Sequence, residues 1–305
     1  MNKKGFFFTL IVILTITIFF ISYEISSSDK TDAVAQRVAT MDSFLFSLEE
    51  NLQRQMYTLG FRTIFEIEND IASTGNYTFS PNARFEEAFF NGTLYGTPRA
   101  LFIGATYADI LQTINQNARK MNVNVTLSQP TIGVYQKDPW NIIVNITLNL
   151  TMEDNTKLAR WNKIEYLDVP ISIEGFEDPL YVINTGGLVT NKINKTFYEG
   201  SYVSTGNVSN LTVHAINLLY TNSTTAPSFL DRLQGINAPS PYGIESFVSL
   251  PKLAAQGITV KNKTEVDYLY FSTTPTTDYH VTGMPSWFLI DAGHIDRYQV
   301  AGLTY

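Results

Sequence analysis

Residues 3–25 read KKGFFFTLIVILTITIFFISYEI, and how this stretch is read decides the architecture. Lys3 and Lys4 precede an apolar run from Phe6 to Ile21 in which only Thr9, Thr15 and Thr17 are polar. As a helix rising ~1.5 Å per residue, that run spans roughly 24 Å, a little short of a ~30 Å hydrocarbon core. Ser22, Tyr23 and Ile25 supply the remainder. The lysine pair should stay cytoplasmic. The expectation is a leader at 1–5, a single transmembrane helix at 6–25, and a C-terminal body outside the cell.

Beyond the run, residues 31–72 carry Val34, Val38, Met41, Leu45, Leu48, Leu52, Met56, Leu59, Ile64, Ile67 and Ile71. Steps of three and four dominate, which marks one apolar stripe on a helix. Phe44, Phe46, Phe61 and Phe65 widen it beyond a coiled-coil seam, so the amphipathic segment 26–73 should pack against its own domain. Gly60 interrupts it, at about 1 kcal/mol relative to Ala. The helix should stop near Ser73-Thr74-Gly75.

Three fates fit the N-terminus: a cleaved secretion signal with Ser26 and Ser28 at the small-residue positions, an uncleaved anchor, or prepilin processing. The last rests on a resemblance. Lys-Lys-Gly followed by Phe-Phe-Phe-Thr-Leu resembles the class III signal peptide of type IV pilins and archaeal pilin-like proteins, over about the first 25 residues. The resemblance implies cleavage between Gly5 and Phe6, with the apolar segment kept on the mature chain as the part that holds subunits together. Leu10 stands where bacterial pilins carry Glu, a departure that points toward the archaeal relatives.

The body reads as α+β: a helix at 105–121, then alternating strands. Val123, Val125 and Leu127 alternate with polar neighbours, as do Ile142, Val144, Ile146, Leu148 and Leu150. Period two with one polar face means half-buried antiparallel sheet. Shorter runs at 131–135, 157–161, 166–174, 180–184, 211–216 and 266–271 read as further strands, 76–100 as turns, and 244–256 as a short helix. The expected division is an α+β ectodomain at 74–184 and a β-rich C-terminal part at 185–305, either its own domain or a continuation.

Composition narrows the function. The chain has a net charge of −7, no basic cluster and only 16% charged residues, which argues against nucleic acid. It has no cysteine, so disulfides, Cys-ligated zinc and a Cys nucleophile are excluded. Asn-x-Ser/Thr sequons occur at Asn76, Asn91, Asn124, Asn145, Asn149, Asn194, Asn207, Asn210, Asn222 and Asn262. Asn124, Asn145, Asn149 and Asn210 fall on the polar faces of the expected strands, where a glycan would point to water.

Catalytic signatures are missing: no Gly-x-Ser-x-Gly, no Walker loop, no His-Glu-x-x-His. Of the three histidines, His214 reads as a surface residue. His280, Asp291, His294 and Asp296 form a weak metal-ligand grouping without a diagnostic spacing. Glu174, Glu177 and Asp178 make an acidic turn with the hard oxygens that calcium prefers. The expected protein is a non-enzymatic, cofactor-free surface glycoprotein with a structural or adhesive role. Its partners would be the bilayer, copies of itself or other pilin-like subunits, and surface glycans. The rivals are a tethered solute- or sugar-binding ectodomain, favoured by a concave aromatic pocket near the tail, and a tethered hydrolase.

Overall fold

The computed structural model describes the backbone of residues 3–305, and side chains at 6–24 and 31–305. Leader residues Met1 and Asn2, and the side chains of Gly5, Ser26 and Ser28, lie outside the described residues.

One helix, α1, runs unbroken from Lys3 to Thr74. At ~1.5 Å per residue it is roughly 110 Å long. Its two halves differ in what surrounds them. Phe6–Glu24 is 0% buried. From Met41 to Ile71 the apolar stripe is buried at Met41, Leu45, Leu48, Leu52, Met56, Leu59, Ile64, Ile67 and Ile71. Arg37 marks the changeover. Its Nε donates to Asp154 Oδ1 (2.7 Å), and Nη2 donates to the carbonyls of Met121 (2.7 Å) and Asn122 (2.9 Å). Val38, beside it, remains 39% exposed.

The helix ends at Gly75, whose φ of 68° suits glycine. After it, α2 (Pro81–Asn91) starts with Pro in its first turn and closes on Gly92 in the left-handed region. A short hairpin pairs β1 (Thr93–Leu94) with β2 (Thr97–Pro98). Helix α3 (Tyr107–Lys120) carries a Thr106/Asp109 capping box. Residues 76–100, read as turns, thus contain a true helix. The helix expected at 105–121 is α3.

A three-stranded antiparallel meander follows: β3 (Val123–Asp138), β4 (Asn141–Asp154) and β5 (Arg160–Ser172) in spatial order β3-β4-β5. Of the runs expected at 157–161 and 166–174, residues 160–161 and 166–172 belong to this third strand, and 157–159 lie in the turn before it. Ile142, Val144, Ile146, Leu148, Leu150 and Met152 share one buried cluster with the α1 stripe. Asn145, Thr147, Asn149 and Thr151 lie between them on the opposite face, half-buried. Burial of each large aliphatic side chain contributes about 1.5–3 kcal/mol, so the α1–sheet seam is the main source of stability in this half.

Gly60 has a packing reason. A Cβ there would lie 2.3 Å from Ile171 Cδ1 and 2.8 Å from Val144 Cγ2. The glycine lets the helix backbone approach the sheet, which offsets its low helix propensity.

Residues 173–305 are built differently. The strands expected at 180–184, 211–216 and 266–271 are helices: α4 (Pro179–Asn184), α5 (Ser209–Ile216) and α8 (Asp267–Phe271). Two further short helices are α6 (Phe229–Gln234) and α7 (Leu250–Ala255), the latter taking only part of the helix expected at 244–256. Strand pairing is confined to β6 (Thr221–Asn222) with β7 (Ile244–Glu245), β8 (Asp278–His280) with β9 (Leu289–Asp291), and isolated bridges. Pro179 in the first turn and Asp178 capping Leu180 N–H (2.9 Å) explain α4. The class remains α+β, a long helix followed by antiparallel sheets.

Candidate functional site: the apolar helix and the sequon-bearing surface

The N-terminal half of α1 meets the physical demands of a bilayer. Phe6–Glu24 gives 19 residues, or about 28 Å. Thr15 Oγ1 donates to Ile11 O and Thr17 Oγ1 to Ile13 O, both at 2.9 Å. These hydroxyls bond within their own helix, as hydrocarbon requires of any polar group it surrounds. Among the described residues this is the one helix long and apolar enough to cross a membrane. A signal sequence would share those properties.

The sequons map to the surface of the body. Asn76, Asn91, Asn124, Asn194, Asn207, Asn222 and Asn262 are exposed, and Asn145, Asn149 and Asn210 are half-buried. Asn76 Nδ2 donates to Thr74 O (3.1 Å) and Asn194 Nδ2 to Lys192 O (3.2 Å), and the half-buried three are engaged too. Asn145 Nδ2 donates to Asp168 Oδ1 (2.8 Å), Asn149 Nδ2 to Gln129 Oε1 (2.7 Å) and Asn210 Nδ2 to Ser201 O (2.8 Å). The nitrogen that would carry sugar is already engaged. Asn210 sits in the first turn of α5, not on a strand.

The metal-ligand grouping divides. His294 Nδ1 lies 2.8 Å from Asp291 Oδ2, and its Nε2 lies 3.3 Å from Glu245 Oε2. Both ring nitrogens therefore face carboxylates. These bonds and the two charges hold His294 protonated, up to about 9 although burial opposes it. His280 is elsewhere, stacked on Tyr305 at 5.6 Å, and Asp296 is exposed. Among the described residues no group of three or more His, Asp and Glu is arranged to hold a metal ion.

His214 is a correction. It is 0% exposed and lies in a helix, with Nδ1 3.0 Å from Thr196 Oγ1 and its ring against Tyr202, Phe247 and Tyr298. Burial pushes it down to about 3, so it stays neutral.

The acidic turn also separates. Asp178 is fully buried, caps α4 and pairs with Arg232 at 2.5 Å, while Glu174 is exposed. Glu177 lies instead beside Glu68 of α1, on the wall of a cavity of about 270 Å³. Burial first, then the Glu177 and Asp178 charges, push Glu68 up to about 9. Glu68, Arg232 and Glu245 each face charged groups from distant parts of the chain. Sequence reading passed over all three, because nothing local marks a residue whose partners lie tens of positions away.

No family model, characterised protein or solved structure matches this chain.

Proposed function

We propose that this chain is a membrane-anchored extracellular surface protein of pilin-like design, a structural or adhesive component of a surface filament or envelope rather than an enzyme. The observation that carries this reading is the continuity of α1. One helix supplies a bare apolar half (Phe6–Glu24) and, without a break, the core-forming half of the body (Met41–Ile71). An apolar helix rigidly joined to a head can hold that head to a bilayer, or pack with identical helices of neighbouring copies, by apolar burial and dispersion alone. The Lys3-Lys4-Gly5 leader before Phe6, and sequons confined to the other side of the apolar helix, support an N-terminus inside and a body outside.

The test is the N-terminal sequence and intact mass of the chain from native membranes. A mature chain starting at Phe6 is expected, and Gly5→Val should leave the leader in place and abolish filaments seen by electron microscopy. A start at Met1 or Asn2 would leave a simple tethered ectodomain; a start near Asp29 would leave a secreted one.

The same mass spectra check glycosylation. Sugar added to the folded chain should favour Asn91, Asn124 and Asn207, which are exposed with Nδ2 making no hydrogen bond to the chain. Occupancy should be low at Asn145, Asn149 and Asn210. Equal occupancy at both sets would contradict that order.

A further inference from the structure

A cleft of about 420 Å³ opens where the segment after α1 meets α4, α6 and the residues following α8. It falls within the ~300–1,000 Å³ typical of small-molecule sites. Its lining comes from Tyr77, Asn184, Arg232, Asn237, Phe271 and Thr273, among others, so it draws on the chain from residue 77 to residue 274.

Three features show what chemistry the cleft accepts. The first is aromatic. The half-buried Tyr77 ring lies on Gly235, where an added Cβ would stand 2.6 Å from Cδ2 and 2.8 Å from Cγ. Gly235 is also the left-handed cap of α6, with φ 70°, so a side chain is excluded twice over and the ring is held in place. The second is a set of neutral polar groups at the rim. Asn184, Asn237 and Thr273 are exposed. Asn184 Nδ2 donates to Tyr77 Oη (3.4 Å) and Leu180 O (2.8 Å), and Asn237 Nδ2 donates to Tyr268 O (3.2 Å). Among the described residues no hydrogen bond uses either amide oxygen. The third is a cation spent within the fold. Arg232 is 1% exposed, and its Nε–H has no acceptor although Nη1 and Nη2 are fully engaged by Asp178, Asp267 and Ile244 O. That nitrogen is closed off from the cleft, so Arg232 offers a ligand neither a free charge nor a free donor.

Charge excludes the main alternatives. Among the described residues lining the cleft, Arg232 is the only charged one, and two carboxylates already neutralise it. An anionic ligand finds no free cation, and a cationic ligand finds no free carboxylate. A neutral ligand with many hydroxyls and an apolar ring face fits all three features. The C–H groups of a pyranose ring carry slight positive charge and suit the electron-rich face of an aromatic ring, while its hydroxyls serve the free amide oxygens at the rim. We propose that this cleft binds a neutral saccharide, with Tyr77 as the stacking platform. The inference goes beyond the proposed anchoring role and stands whether or not the chain polymerises.

The test uses the full chain in a detergent without a sugar headgroup, such as lauryldimethylamine oxide, applied to an array of neutral and acidic glycans. Binding to at least one neutral glycan is expected. Tyr77→Ala should weaken it at least tenfold, and Tyr77→Phe should largely retain it. Because Tyr77→Ala could disturb the Gly235 contact, Thr273→Trp at the exposed rim serves as a second variant. It should fill the cleft and abolish binding without changing the unfolding midpoint. No neutral glycan bound, binding confined to acidic glycans, or binding indifferent to both Tyr77→Ala and Thr273→Trp would each overturn the proposal.

Discussion

Arg232→Met should destabilise the body by about 3–5 kcal/mol, the usual consequence of removing one partner from a buried ion cluster. Arg232 is among the largest fully buried side chains, and its Nη1 lies 2.5 Å from Asp178 Oδ2 and 2.8 Å from Asp267 Oδ2. Asp178 Oδ2 also accepts the Tyr220 hydroxyl at 2.8 Å. Methionine fills much of the volume but leaves two desolvated carboxylates facing each other. The damage should therefore come from the acids left behind rather than from the lost arginine. That distinction is testable. The triple change Arg232→Met, Asp178→Asn, Asp267→Asn should recover most of the loss, because a neutral set of similar shape need not be worse than the ion cluster. Urea midpoints in detergent report both quantities. A loss under ~1 kcal/mol for the single variant would mean that water reaches the cluster and screens it.

The importance of that cluster follows from how the C-terminal half is made. With no cysteine and pairing limited to strands of two or three residues, residues 173–305 have neither staples nor a sheet to organise them. Long-range side-chain bonds do that work. Arg232 of α6 joins the start of α4 to α8. Glu245 of β7 accepts the Tyr298 hydroxyl at 2.9 Å, forms an ion pair with Arg297 (Nε at 2.7 Å) and faces His294. This explains which parts of the fold were legible in sequence. In β4 the alternation of Ile and Leu with Asn and Thr persists for the whole strand, so both its period and its buried face could be read. In α1 steps of three and four run from Met41 to Leu59 and resume from Ile64 to Ile71. Residues 211–216 show the limit. Leu211, Val213 and Ala215 alternate with Thr212, His214 and Ile216, yet the segment is one turn-and-a-half of helix, and His214 is inside. Over six residues, period two and period 3.6 are not distinguishable, and tertiary contacts choose. The cleft was less legible still, since Tyr77 meets Gly235 only through the fold.

Alkaline pH should weaken the body well before its tyrosines ionise. Glu265 is fully buried; it accepts the Leu289 N–H at Oε2, and Oε1 has no partner. Burial pushes it up to about 9 from an ordinary 4.5, with the Asp278 charge adding to the rise. Glu68 is likewise raised to about 9, though it borders a cavity and so carries less weight. A carboxyl whose folded pKa is raised contributes its full stability below about 4.5 and loses it as pH climbs toward 9, because the unfolded chain has already released the proton. His294 adds in the same direction. Raised from 6.5 to about 9, its contribution is complete below 6.5 and disappears through 9. Glu245 and Asp291, both held below their usual range, work oppositely: their contribution is complete above about pH 4.5 and is lost only as pH falls. Between pH 6.5 and 9 only losses remain, each group contributing up to about 1.4 kcal/mol per pH unit. The unfolding midpoint should therefore drop steeply over that window. Glu265→Gln keeps an acceptor for Leu289 N–H and removes the titration, so it should be several kcal/mol more stable than the parent at pH 9 and nearly equal to it at pH 4.5. Urea unfolding at those two values decides the matter. An unchanged difference between parent and variant across the range would mean that Glu265 ionises in the folded protein as it does in water.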